Sequence, residues 1–104
     1  MELKRVVVTG LGALTPIGNT YHEYWEALKN GVSGAAPITL FDASQFKTQF
    51  ACEVKNFNIE DHFDRKEARK LDRCAQLGIV AAREAVKDSG ILEDANVNKE
   101  RIGV

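Results

Sequence analysis

Val6-Val7-Val8-Thr9-Gly10-Leu11-Gly12-Ala13-Leu14-Thr15-Pro16-Ile17-Gly18-Asn19 is the stretch on which the fold turns. Its opening, Arg5 to Thr9, is a β-branched run that is apolar on both faces and closed by glycine. That pattern predicts a buried central strand of an α/β sheet. Gly10-Leu11-Gly12 then predicts a tight turn. Thr15-Pro16-Ile17-Gly18-Asn19 predicts a loop, because Pro16 biases Thr15 away from helix and Gly18 adds a second break. A strand followed by G-x-G also invites a dinucleotide-binding reading. That motif needs a third glycine or alanine three residues on, opening a helix whose N-terminus meets the pyrophosphate. Here the position holds Thr15, Pro16 follows, and the helix starts only after Thr20. The two glycines are therefore read as turn residues, with saturable NAD binding as the observation that would revive a nucleotide site.

Working outward, Thr20 and Glu23 form a T-x-x-E capping box. Tyr21, Tyr24, Trp25 and Leu28 follow at helical spacing, and Gly31 stops the helix. Val32 to Asp42 reads as loop with a short extended piece. Phe50, Cys52 and Val54 alternate with Ala51, Glu53 and Lys55, which predicts a half-buried strand with the first set inward. Asp64, with Glu67 three residues on, opens a periodic segment that runs to Ser89, with Gly90 as its C-terminal stop. This predicts one helix of about 25 residues, ~37 Å long. Its Ala75, Gly78, Ala81, Ala82 and Ala85 permit close backbone packing. Ile91 to Lys99 is a polar loop, and Arg101-Ile102-Gly103-Val104 reads as the start of a further strand. The expected outline is strand–helix–strand–helix–strand, an unfinished sheet whose later members lie outside residues 1–104.

With 104 residues, 44% hydrophobic and 28% charged, the composition is that of an ordinary globular protein. A formal net charge of -1 argues against a general nucleic-acid binder. Apolar runs such as Val6-Val7-Val8 fall far short of the ~20 residues of a membrane span, and no cleavage site for a secretory signal follows. Cys52 and Cys74 make neither a disulfide framework nor a metal set, and read as reduced thiols in a cytoplasmic protein.

The charge is not evenly spread. Arg65, Lys66, Arg69, Lys70 and Arg73 fall within about 140° of one another on a single continuous helix, with Leu71, Ala75, Ala82 and Val86 on the opposite side. Residues 65–73 carry five cations and two anions, a local charge of +3 in a chain of net charge -1. A solvated face softened by Glu67 and Asp72 would explain this. So would a docking surface for an acidic or phosphate-bearing partner, and cations at the N-terminal end of a helix run against its dipole. No nucleophile can be assigned. Cys52 precedes Glu53 within a strand pattern, Cys74 lies mid-helix, and His22 and His62 have no patterned partner.

Taken together the segments resemble one family. Val6 to Asn19 is closely similar to the opening of β-ketoacyl-[acyl-carrier-protein] synthases. Trp25-Glu26-Ala27-Leu28, Gly31-Val32-Ser33-Gly34, Phe41-Asp42, Glu53-Val54-Lys55-Asn56-Phe57, Arg65-Lys66-Glu67, Arg69-Lys70-Leu71-Asp72-Arg73 and Glu100-Arg101-Ile102-Gly103-Val104 follow in the family's order. The Arg-Lys-Glu-Ala-Arg-Lys-Leu-Asp run is most similar to the type II synthases. The resemblance implies the N-terminal part of a thiolase-like fold, a mixed α/β sheet layered with helices, of which residues 1–104 supply the first elements of the first half. It implies an acyltransferase of fatty-acid elongation in which a cysteine and two histidines act downstream of Val104. Cys52 and Cys74 do not match the family's nucleophile, so this stretch alone is expected to be inactive. No cofactor is implied; substrates ride on the phosphopantetheine arm of acyl carrier protein, and the full-length enzyme is a cytoplasmic homodimer. Lys66, Arg69 and Lys70, with Arg65 and Arg73 less directly, resemble the positions that meet the acidic carrier protein. Two competing expectations are a non-catalytic chain-length partner of a condensing enzyme, and a stand-alone interaction domain that binds an acidic protein through face 65–73.

Overall fold

A computed structural model describes all residues, 1–104. The elements in chain order are helix α1 (Tyr21–Lys29), strands β1 (Ala35–Pro37) and β2 (Phe50–Cys52), and helices α2 (Arg65–Lys70) and α3 (Arg73–Ser89). Single turns of 3-10 helix lie at Ile59–Asp61 and Lys99–Arg101.

α1 forms where the capping box predicts, with one change of partner. The Glu23 N–H donates to Thr20 Oγ1 at 3.2 Å, but the Glu23 carboxylate accepts from the Asn19 N–H, at 2.8 Å, rather than from Thr20. The helix ends in a Schellman turn: Val32 N–H donates to Ala27 O at 2.9 Å and Gly31 N–H to Leu28 O at 3.1 Å. Gly31 takes φ +65°, the left-handed conformation this turn requires of its residue.

β1 and β2 pair antiparallel with Ala35 opposite Cys52, Ala36 opposite Ala51, and Pro37 opposite Phe50. The alternation predicted at β2 is present with its faces exchanged. Ala51 and Ala36 turn inward, while Phe50 and Cys52 are exposed. Period-2 alternation separates two faces, and what covers the ribbon decides which is inside. Here the small Ala36–Ala51 pair takes the covered face.

The predicted strand Arg5–Thr9 is not formed. No backbone group of residues 1–14 takes part in a backbone–backbone hydrogen bond, and Val6 and Val8 are 90% and 80% exposed. A strand exists through the neighbours that accept its N–H and C=O groups, and within these residues nothing lies beside it. The same reason removes the expected strand at Arg101–Val104, where a 3-10 turn gives way to exposed, unpaired chain. The helices and a two-stranded sheet are thus present, whereas the larger mixed sheet is not assembled from these residues.

What residues 10–21 do instead is lie on α3. A Cβ added at Gly10 would collide with the carbonyl oxygen of Ala85, and one at Gly12 with that of Ala81. Neither glycine has positive φ, so the turn reading gives way to close backbone approach: two glycines two apart in extended chain meet two alanines four apart on a helix. Carboxylates complete the seam. Asp88 accepts from the Leu11 N–H at 3.0 Å, and Glu84 accepts from Ala13 N–H at 2.9 Å and Tyr21 N–H at 3.0 Å.

The resulting molecule is open. Only Ala43 and Phe63 are buried. The accessible surface is 8932 Å², whereas a compact 11.5 kDa protein exposes about 5,800 Å². The radius of gyration is 17.8 Å against about 13 Å for a compact chain of this length. Leu3, Val6, Val7, Val8, Leu40 and Phe50 are among the large apolar side chains facing solvent.

Candidate docking surface

The single long helix expected over Asp64–Ser89 is two. Asp64 caps α2, its Oδ1 accepting from the N–H groups of Lys66 and Glu67, each at 2.8 Å. After Lys70 the chain leaves the helix: Leu71 is extended (φ -107°, ψ 133°), and Asp72 caps α3 by accepting from Ala75 N–H at 2.8 Å. The Asp72 carboxylate offers the backbone an alternative to a continuous helix, which is what Asp does best at helix starts and worst in helix interiors. A helical projection makes Asp72 a neighbouring anion of Arg69, which conceals its role as a cap.

The break divides the five candidate cations. Arg65, Lys66, Arg69 and Lys70 stand together on α2, all exposed and none of them ion-paired. Arg73 opens α3 beyond the bend, and its guanidinium lies 5.3 Å from the centre of the Phe57 ring. The stripe is therefore a four-residue face with a fifth cation held apart. The one ion pair in the structure is Lys29–Glu26 on α1. Glu67 and Asp72 do not neutralise the cations: Asp72 caps, and Glu67 lines a shallow hollow with Phe63, Lys70, Leu71, Ile79 and Arg83.

Beneath α2 the support is aromatic and cationic. Phe63 is 6% exposed, with the Arg83 guanidinium 4.6 Å from its ring centre, and Arg83 Nη1 donates to His62 O at 2.8 Å. The His62 ring stacks on Phe57 at 5.3 Å. This is a structural role for a histidine to which spacing assigns no partner. Gln76 bridges the bend, its Nε2 donating to Ala68 O at 3.1 Å and Leu71 O at 3.2 Å; nothing in the sequence pattern marks it.

The other candidates are dispersed. Cys52 sits exposed on β2, not in the core, and Cys74 is exposed in the first turn of α3, so the two thiols are free. His22 packs its ring 4.1 Å from that of Tyr21. The perturbed pKa values lie elsewhere. Desolvation and then the Asp88 charge push the Tyr21 hydroxyl up. Bonds from the Thr39 hydroxyl and backbone, with Leu40 N–H and Lys55 adding to them, pull the Glu53 carboxyl down. Glu53 Oε2 accepts from Thr39 Oγ1 at 2.7 Å, and Oε1 from the N–H groups of Thr39 at 3.0 Å and Leu40 at 3.2 Å. These carboxylates and the tyrosine organise loops, and no nucleophile–base pair arises among them.

The family model for the β-ketoacyl synthase N-terminal domain matches residues 3–104, and the chain belongs to that family. Within it, the chain is 55% identical over 102 residues to the 3-oxoacyl-[acyl-carrier-protein] synthase 2 of Staphylococcus aureus (strain COL), covering 97% of this chain and 24% of that protein. It is 46% identical over 104 residues to the protein of the same name from a Synechocystis strain, covering 100% of this chain and 25% of that one. In structure it is similar to the ishigamide ketosynthase/chain length factor, with a TM-score of 0.70 and 35% identity over 93% of this chain and 23% of that one. The chain spans about a quarter of the length of the relatives it matches.

Proposed function

We propose that these residues are the opening segment of a type II fatty-acid condensing enzyme with a thiolase-like fold. The observation that carries the reading is the 55% identity, spread over 97% of the chain, to a 3-oxoacyl-[acyl-carrier-protein] synthase 2. In such an enzyme a cysteine thiolate takes the acyl group as a thioester. Malonyl-carrier protein loses carbon dioxide, and the carbanion left behind attacks the thioester carbonyl and expels the thiolate. Two histidines assist decarboxylation, and backbone N–H groups hold the developing oxyanion. On this reading those groups belong to the remainder of the polypeptide, in a cytoplasmic homodimer. The present residues contribute scaffold and, on α2, part of the surface that receives acyl carrier protein with its phosphopantetheine-linked substrate. Four unpaired, exposed cations on one short helix support that role, since an acidic partner would be steered to them. The open apolar layer counts against a stand-alone interaction domain, because a domain that buries two residues has no core of its own.

The test is charge reversal in the full-length enzyme. Lys66→Glu with Arg69→Glu is expected to raise KM for carrier-linked substrate roughly tenfold at low ionic strength, with kcat nearly unchanged. The gap should narrow as salt screens both forms. Wild-type KM at every salt concentration would remove the docking role. A full-length sequence lacking the cysteine and two histidines would instead make the protein a chain-length partner.

A further inference from the structure

α2 has six residues and carries four cations on one arc. A helix this short has no stability of its own in water, its like charges repel along the face, and those in its first turn oppose the dipole. Asp64 secures the N-terminal end. The C-terminal end has no such local remedy, since Leu71 departs in an extended conformation and Asp72 is committed to α3. The carbonyls of the last turn lack partners within the helix. The one side chain that reaches the backbone carbonyls of residues 65–71 is Gln76, from the first turn of α3: its Nε2 donates to Ala68 O and Leu71 O, in part-buried bonds that span the bend.

We infer that Gln76 is a positioning residue for carrier-protein docking, fixing the angle at which α3 presents Arg65, Lys66, Arg69 and Lys70. The inference rests on the reading of α2 as the docking surface. Loss of the two bonds lets α2 fray and swing about Leu71, and the apparent affinity for the partner falls with the fraction of molecules still in the docking-competent arrangement.

The experiment uses full-length enzyme with Gln76→Met, which keeps length and removes the donor, beside Gln76→Glu, which keeps shape but offers only acceptors to two carbonyls. Both are expected to speed amide exchange in residues 65–71 and to raise KM for carrier-linked substrate roughly three- to tenfold. kcat, and KM for the same acyl group carried on coenzyme A, should stay at wild type. Arg69→Glu runs in parallel. If Arg69→Glu raises KM while both Gln76 variants match wild type in exchange and KM, the positioning role is overturned and the docking surface stands. If KM rises equally for the coenzyme A substrate, Gln76 acts on the enzyme generally and the inference is again overturned. If neither Arg69→Glu nor the Gln76 variants move KM, the docking reading falls and this inference with it.

Discussion

Replacing Gly12 by alanine places a methyl group where α3 already has backbone. The added carbon would collide with the Ala81 carbonyl oxygen, and would sit 2.7 Å from Ala85 N and 3.0 Å from Ala81 C. Ordinary contact distances for carbon begin near ~3.5 Å, so the segment must retreat from the helix by about 1 Å. Two hydrogen bonds flank the contact, Leu11 N–H to Asp88 at 3.0 Å and Ala13 N–H to Glu84 at 2.9 Å. A retreat of that size takes both beyond useful reach. Bonds to charged acceptors contribute roughly 1.5–3 kcal/mol each, which puts the cost at about 3–6 kcal/mol. In the full-length protein the expected readout is a Tm lower by roughly 5 °C or more and a reduced soluble yield. Because the obstacle is main chain, adding Ala81→Gly should not restore the wild-type Tm. A Gly12→Ala variant that melts with wild type, or one rescued by Ala81→Gly, would refute the idea that two backbones touch here.

The same seam gives a second expectation. Glu84→Ala leaves the N–H groups of Ala13 and Tyr21 without their acceptor, at about 3–6 kcal/mol by the same per-bond figure, and Glu84→Gln should recover roughly half of that by urea denaturation. For Glu53, whose carboxyl is held below its usual range chiefly by the Thr39 hydroxyl, the stabilisation is complete above the unfolded-state value and is lost as pH falls through the lower folded-state value. Amide exchange at Thr39 and Leu40 should therefore accelerate in that acidic window, and Glu53→Gln should flatten the dependence. Purified by itself, the 104-residue chain is expected to bind a hydrophobic dye and to unfold without a sharp transition. A compact, cooperatively melting monomer would contradict the open apolar layer of the structure.

Local chemistry is readable from the sequence, and tertiary cover is not. The caps at Thr20 and Asp64 and the stops at Gly31 and Gly90 all appear where side-chain and glycine rules place them, since each is decided within a turn of chain. Asp72 is legible in principle: an aspartate followed by an apolar run is a start signal, but a helical wheel drawn through it hides the break. Gly10 and Gly12 read as a turn because the surface they touch lies about 70 residues further on. Phe50 and Cys52 face the opposite way from expectation because alternation is blind to which side will be covered. Arg5–Thr9 has the composition of a central strand and remains unpaired for want of neighbours. Counting charge finds the four cations of α2, but it does not find Gln76, because an amide that stitches two helices leaves no periodic trace.

The unpaired Val6–Val8 segment also sets a problem of timing. It leaves the ribosome well before α3, with main-chain donors and acceptors free on both sides. In a polypeptide as long as the Staphylococcus aureus relative, the remaining three quarters take roughly 15–60 s to synthesise at ~5–20 residues per second. Throughout that interval a sticky, template-like ribbon is fastened at one end to nothing firmer than Gly10 and Gly12 against a helix. Such a nascent chain is most exposed to mispairing early in its making, and holding chaperones would matter to it well before the bulk of the polypeptide exists.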